Sequence, residues 1–259
     1  MSDAPAVLTE TDDGVLKIVL NRPDARNSLN LDLIDQLAAA LARLDSEPGL
    51  VAGVLSGSGD FFSAGMDLKA FLAGEKVWDG DDGRVGLKQI VTTSTRRPLI
   101  AAIEGYAVAG GLELALFCDL LVAGRTAKLG IPEVTRSLVA AGGALRKLPP
   151  RVGPGWATRL ALTGEVIDAG TAARIGLVDE VVEDGAAVDA AVALAHKIGA
   201  NGPLAVAASK EILVQQAGWD DEEFWRRQRE LIGPVFASAD AAEGARAFAE
   251  KRPPRWRGE

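Results

Sequence analysis

Apolar residues in this chain recur in two rhythms. Val15–Leu20 is a short apolar run stopped by Asn21, Arg22, Pro23 and Asp24, which predicts a strand ended by a turn. Leu31, Ile34, Leu37, Leu41 and Leu44 then recur at helical spacing, and Asn30 stands where a cap belongs. Leu50–Leu55 predicts a second strand, running into Ser56-Gly57-Ser58-Gly59-Asp60, and Leu99–Ile103 a third, ended by Glu104-Gly105. Gly111–Phe117 reads as helix and Asp119–Ala123 as strand. Strands and helices that alternate, with glycine at the junctions, predict an α/β layered fold.

Ala73–Lys88 breaks that pattern: AGEKVWDGDDGRVGLK is polar, holds four glycines and predicts a mobile surface loop carrying Trp78. The last third turns helical. Val188–Ile198 is an Ala-rich helical stretch, Asn201 precedes a helix with Pro203 in its first turn, and Asp220 and Ser238 open two more. The closing KRPPRWRGE reads as a solvated basic tail through Arg252, Arg255 and Arg257. No internal repeat or linker is visible, so the expected division is a core over 1–200 and a helical section over 201–259.

Composition narrows the chemistry. With 259 residues, 48% hydrophobic, the chain can bury a full core. Its net charge of −8 argues against general nucleic-acid affinity, which rests on Lys and Arg at phosphates. The single Cys118 excludes an intramolecular disulfide or a cysteine metal cluster. The single His196 excludes a multi-histidine centre, and its Ala-rich surroundings give it a surface or packing role. No metal site is expected, and acid–base work falls to carboxylates. Leu99–Ala123 is apolar enough to resemble a membrane span, but Glu104, Glu113 and Asp119 make it protein core. Met1–Glu10 lacks a basic start followed by an apolar run, so no signal peptide and a cytoplasmic location are expected.

Two strand-to-helix junctions stand out: Phe61-Phe62-Ser63-Ala64-Gly65-Met66-Asp67-Leu68 and Gly105-Tyr106-Ala107-Val108-Ala109-Gly110-Gly111-Leu112-Glu113-Leu114. Such junctions leave backbone N–H groups free at a helix start. Two that face each other could hold a carbonyl oxygen that gains negative charge. For either segment alone, a tight packing turn is the better reading. Neither fits GxxxxGK[ST] or GxGxxG, so the phosphate-loop motifs fail.

FSAGMDL and IEGYAVAGGLELALFCDLLVA together resemble the crotonase superfamily, enoyl-CoA hydratases in particular. NRPDARNSL, LGIPEVTRSLVAAGG, ALTGEVIDAGTAARIGLVDEVV and AFAEKR follow the same family in order, over nearly the whole chain. The resemblance implies a crotonase-type spiral of repeated ββα units with a helical C-terminal section. It implies an oxyanion hole from the backbone N–H groups of Met66 and Gly110, and two catalytic glutamates, Glu113 and Glu133. Ala64 and Asp67 fall in the substrate-binding motif. Arg22 and Arg26 match positions near CoA and read equally as solvated turn residues. Phe236 and Lys251 match a Phe and a Lys that close over CoA from a neighbouring subunit, and read equally as helix packing and a solvated charge.

The implied reaction is a carbon–oxygen lyase step of fatty acid metabolism, reversible addition of water to a trans-2-enoyl-CoA. No cofactor is implied beyond CoA, which arrives as part of the substrate. The implied partners are an acyl-CoA and further copies of the chain, as a trimer or a hexamer of paired trimers, with neither nucleic acid nor membrane. Double-bond isomerisation needs one carboxylate, so the Glu113–Glu133 pair favours hydration. Dehydration of a specialised hydroxyacyl-CoA, and acyl-CoA binding without turnover, stay open on the same residues. The sequence departs from the family at Ala109, where a glycine is common, and at Leu138–Ala141, where a proline often precedes Gly142-Gly143.

Overall fold

The computed structural model describes residues 4–259. Met1, Ser2 and Asp3, part of the segment read for a signal peptide, lie outside the described residues. The chain starts with β1 (Val7–Asp12), β2 (Val15–Leu20) and α1 (Leu31–Ser46). Three further units repeat this order. The first is β3 (Ala52–Gly57), β4 (Phe61–Ser63), α2 (Leu68–Leu72) and α3 (Leu87–Val91). The second is β5 (Leu99–Ile103), β6 (Tyr106–Val108) and α4 (Gly110–Phe117). The third is β7 (Leu120–Gly124), β8 (Lys128–Gly130), a 3-10 turn at Pro132–Arg136, and α5 (Ala144–Thr163). Then come β9 (Val166–Asp168), α6 (Ala169–Arg174), β10 (Glu180–Val182) and α7 (Ala187–Gly199). Three helices close the chain: α8 (Pro203–Gln215), α9 (Asp221–Phe236) and α10 (Ala239–Glu250).

From β3 onward the two strands of each unit go to different sheets. One sheet runs β1-β2-β3-β5-β7-β10, antiparallel only between β1 and β2; the other runs β4-β6-β8-β9, with β8 and β9 antiparallel. This is the expected spiral of ββα units. Alternation along the strands divides the core. Leu16, Ile18, Ala101 and Ile103 face the space between the sheets, where Leu33, Ile34, Leu37 and Leu44 of α1 join them. Val15, Val54, Ile100 and Ala102 face the other way, onto Ala187, Ala191 and Ala195 of α7. His196 sits half-buried on that helix.

Caps fall where the sequence put them: Asn30 accepts from Leu33 N at 3.1 Å, Asp220 from Glu223 N at 2.8 Å and Ser238 from Ala241 N at 3.0 Å. Several elements were not expected, β1 and α5 among them. β1 is an edge strand with one buried residue, too polar to stand out. In α5, Pro149, Pro150 and Pro154 argue against a helix, and the chain accommodates them by breaking at Gly153 (φ 78°, ψ 157°).

Two surface readings need correction. Ala73–Lys88 is not wholly a surface loop: Val77 is 4% exposed and Trp78 packs against the main core, so Trp78 is a core contact. The tail's backbone, Arg252 and Trp256 are docked, while the side chains of Arg255 and Arg257 stay exposed as expected. Asp240 accepts from Arg257 N and Gly258 N at 2.7 and 2.9 Å, Glu243 takes a two-pronged bond from Arg252, and Trp256 Nε1 donates to Ala200 O. Arg255 also gives its backbone N–H to Glu243. Apart from this, the last three helices bury little: α8 and α9 have no buried residue, and α10 has only Asp240 and Ala247. Lys210 ties α8 to the core, donating to Thr95 Oγ1, Arg97 O and Asp119 Oδ2. Among the described residues no helix is long and apolar enough to cross a membrane.

Candidate active site

Three parallel strands of the smaller sheet end side by side. Ser63 of β4 pairs with Ala107 of β6, and Val108 of β6 pairs with Gly130 of β8. The segments that leave them are therefore neighbours: Ala64-Gly65-Met66, then Ala109-Gly110 with Glu113 one turn into α4, then Pro132-Glu133. Carboxyl ends of parallel strands are where open α/β sheets build sites.

The first segment is pinned from behind. Buried Asn27 donates to Ser58 O and Phe61 O, and Ser63 Oγ donates to Asn27 O and accepts from Gly65 N. Leu29 N donates to Gly65 O and Asp67 N to Leu29 O, while Ala64 N donates to Arg26 O. Met66 N is left with no acceptor among the described residues, and so is Gly110 N at the start of α4. The two lie close because both backbones are glycine at the crossing. A Cβ on Gly65 (φ +85°) would come within 2.8 Å of Gly110 N, and one on Gly110 within 3.4 Å of Met66 N. Two unpaired N–H groups on backbones that cross this closely can share one oxygen. Ala109 holds the turn at φ 53°, ψ −131°, a backbone region that favours glycine, so the departure at this position is strained.

Glu113 is 4% exposed. Its Oε1 accepts from Ala144 N at 3.2 Å. Burial pushes its pKa up to about 7; the N–H groups of Ala144 and Gly142 pull it back in part, and the charge of Glu133 pushes it further up. Glu133, in the 3-10 turn after β8, is also raised by burial, against the pull of its own backbone N–H. Its Oε2 is buried with no hydrogen-bond partner among the described residues. The structure thus brings two carboxyls with raised pKa values and two free N–H donors to one end of the sheet. Two carboxyls that burial keeps from ionising readily can serve one as acid and one as base.

The remaining candidates are placed less directly. Asp67 caps α2, accepting from Lys69 N and Ala70 N, and pairs with Arg22 at 3.1 Å. Burial opposes the charge of Asp67, but Ala70 N, Arg22 and Lys69 N together hold its carboxyl below the usual range. Arg22 also donates to Ser28 O at 2.6 Å, so both side chains are used in holding the turn. Arg26 is exposed, with its guanidinium 5.4 Å from the centre of the Phe61 ring. Phe236 is 77% exposed at the end of α9, and Lys251 is exposed at the end of α10. Neither makes a hydrogen bond, ion pair or ring contact with the motif segments among the described residues. Cys118 is buried, its thiol pushed up by burial, away from reactive character. The sequence missed the Gly142–Ala144 contact with Glu113. The Gly142-Gly143 pair was its only signal. A cavity of about 580 Å³ lies between Leu50, Arg97, Leu204 and Trp256 and includes none of these motif residues.

A family model described as enoyl-CoA hydratase/isomerase matches residues 10–259. An enoyl-CoA hydratase of Mycobacterium tuberculosis, EchA19, is 38% identical over 98% of this chain and 97% of its own length. The 2,3-dehydroadipyl-CoA hydratase of Escherichia coli is 36% identical over 94% of this chain and 95% of its own. The crystal structure of enoyl-CoA hydratase EchA1 from Mycobacterium marinum superposes with a TM-score of 0.94 at 51% identity, covering 99% of this chain and all of that one.

Proposed function

The chain belongs to the enoyl-CoA hydratase/isomerase family, and from that premise we infer that it is an enoyl-CoA hydratase, adding water reversibly and syn across the 2,3 double bond of a trans-2-enoyl-CoA. The observation that carries hydration over isomerisation is the pair of carboxyls, buried Glu113 and half-buried Glu133, beside two free backbone donors.

The chemistry follows from what water lacks. Water is a poor nucleophile and needs a proton acceptor, and the α-carbon must receive a proton. Glu113 takes the proton from water as its oxygen bonds to the β-carbon, and Glu133 delivers one to the α-carbon. The thioester oxygen carries the enolate charge between these events, and the N–H groups of Met66 and Gly110 hold it. Removal of one such donor costs on the order of 10²–10³ in rate. CoA is part of the substrate, and protein groups with water supply the rest.

Arg26 is the proposed contact for a CoA phosphate from this chain; Arg22 and Asp67 support the turn beneath it. Ala64 lies between Arg26 and the oxyanion donors. Residues 1–200 are proposed to carry the acyl-CoA site, and 201–259 to assemble the subunits. Trp225, Phe236 and Phe248, 62%, 77% and 88% exposed on helices that bury little, support association with further copies of the chain, proposed as a homotrimer or a hexamer of two trimers. In such an assembly Phe236 and Lys251 reach a neighbour's CoA. A cytoplasmic site of action fits a CoA thioester substrate.

The test is loss of the conjugated-thioester absorbance when the purified protein meets crotonyl-CoA and longer trans-2-enoyl-CoAs, with the product identified as 3-hydroxyacyl-CoA. Absence of hydration across the series would overturn the reading.

A further inference from the structure

The two carboxyls are not held alike. Glu133 Oε2 is bonded to nothing among the described residues. Glu113 lies against the turn that starts α5: Ala144 N donates to Oε1 at 3.2 Å, and Gly142 is buried beneath the carboxyl. A Cβ on Gly142 would stand 2.4 Å from Glu113 Oε2, 2.8 Å from its Cδ and 3.1 Å from its Cβ. Real contacts do not reach 2.4 Å, so any side chain at 142 must move the carboxyl or the turn. The close approach is what lets the N–H groups of this turn act on the carboxylate. Gly143, with φ +101°, has nothing within 4 Å of its Cβ position. Its glycine serves the backbone, whereas that of Gly142 serves the contact.

We propose that Gly142 is a positioning residue for the hydration step: by carrying no side chain it seats the Glu113 carboxyl against the α5 turn, at one fixed place relative to the oxyanion donors. The proposal rests on the hydratase reading above. Its physical basis is that reacting groups displaced by about 1 Å lose roughly 10²-fold in rate. Glu113 has no other hydrogen-bonded support among the described residues. Among the elements packed on α4 (α3, α5, β4 and β6), no charged group competes for it. Lys147 of α5 donates to Leu116 O, and Lys88 and Arg146 are exposed. Tyr106 on β6 is half-exposed, and Glu133 is the facing charge.

The experiment compares Gly142→Ala with Gly155→Ala, a glycine of the following helix α5 whose Cβ would meet nothing within 4 Å. With crotonyl-CoA as substrate, Gly142→Ala is expected to lower kcat by roughly 10- to 100-fold at little changed KM. It is also expected to move the pH profile of kcat, because the N–H groups no longer favour the ionised form. Gly155→Ala should match wild type in both. On a Glu113→Gln background, Gly142→Ala should cost no more than about twofold, since the group it acts through has lost its function. Full kcat with an unmoved profile in Gly142→Ala, or an undiminished loss on the Glu113→Gln background, overturns the proposal.

Thermal melting reads the contact without turnover. Gly142→Ala should lower Tm, and Glu113→Ala should restore most of that loss by removing the atoms the methyl strikes. If Gly142→Ala alone does not fold, the double variant must fold; two unfolded variants overturn the proposal. Wild type that hydrates nothing would sink the hydratase reading, while the Tm coupling would still decide the contact.

Discussion

Replacing Glu113 with Gln separates an electrostatic account of the site from a purely steric one. Burial raises the Glu113 pKa from 4.5 to about 7 in the folded chain. A folded-state pKa above the unfolded value means that the native protein binds more protons than the unfolded chain between those values. Stability contributed by this group is therefore lost as pH rises from about 4.5 to 7, and the cost stays constant above that. At 1.36 kcal/mol per pKa unit, the full cost is roughly 3 kcal/mol. Gln keeps the shape and can still accept from Ala144 N, but it does not ionise. Glu113→Gln should therefore equal wild type near pH 4.5 and exceed it by roughly 3 kcal/mol at pH 8. The assay is urea unfolding from pH 4.5 to 8 at one fixed protein concentration, because subunit association adds its own dependence. A difference that is flat with pH, or that grows toward acid, refutes the reasoning.

Four further outcomes follow from the structure. Ala109→Gly should raise stability by about 1–3 kcal/mol in thermal melting, because glycine adopts φ 53°, ψ −131° without strain. Lys210→Met should destabilise by roughly 2–3 kcal/mol in denaturant unfolding, since Asp119 at 25% exposure loses its cation while Thr95 and Arg97 O lose a donor. Met66→Ala should leave kcat within a few-fold of wild type, the role being its backbone N–H, whereas Arg26→Ala should raise KM for crotonyl-CoA by roughly two- to fivefold in steady-state kinetics.

The layered α/β order was legible because each central strand is apolar on both faces and each junction ends in glycine or a turn residue. Leu99–Ile103 and Leu50–Leu55 needed nothing more, and the observed strand at Ala52–Gly57 slips only two residues from expectation. Helix starts were legible where one side chain makes the cap, as at Asn30, Asp220 and Ser238. Elements whose stability comes from distant partners were hidden. Strand β4 is three residues long and exists through pairing with β6. Helix α5 holds three prolines and survives by bending at Gly153. The tail looked solvated because its arginines are charged, yet Asp240 and Glu243 bind the backbone of this segment, which no side-chain pattern reveals. At the site, Glu113, Glu133, Met66 and Gly110 were readable from ordered motifs. Gly142 was not, because the absence of a side chain leaves no chemical signal until the carboxyl it accommodates is seen.

The central claim is that two carboxyls, not one, carry the reaction. Its most direct test is kcat for hydration of crotonyl-CoA by Glu113→Gln and Glu133→Gln, with the Kd of butyryl-CoA measured beside it to report binding. Each variant should fall by about 10²–10⁴ in kcat while binding the saturated thioester as wild type does. Either variant that keeps kcat within tenfold of wild type, with binding intact, would contradict the account.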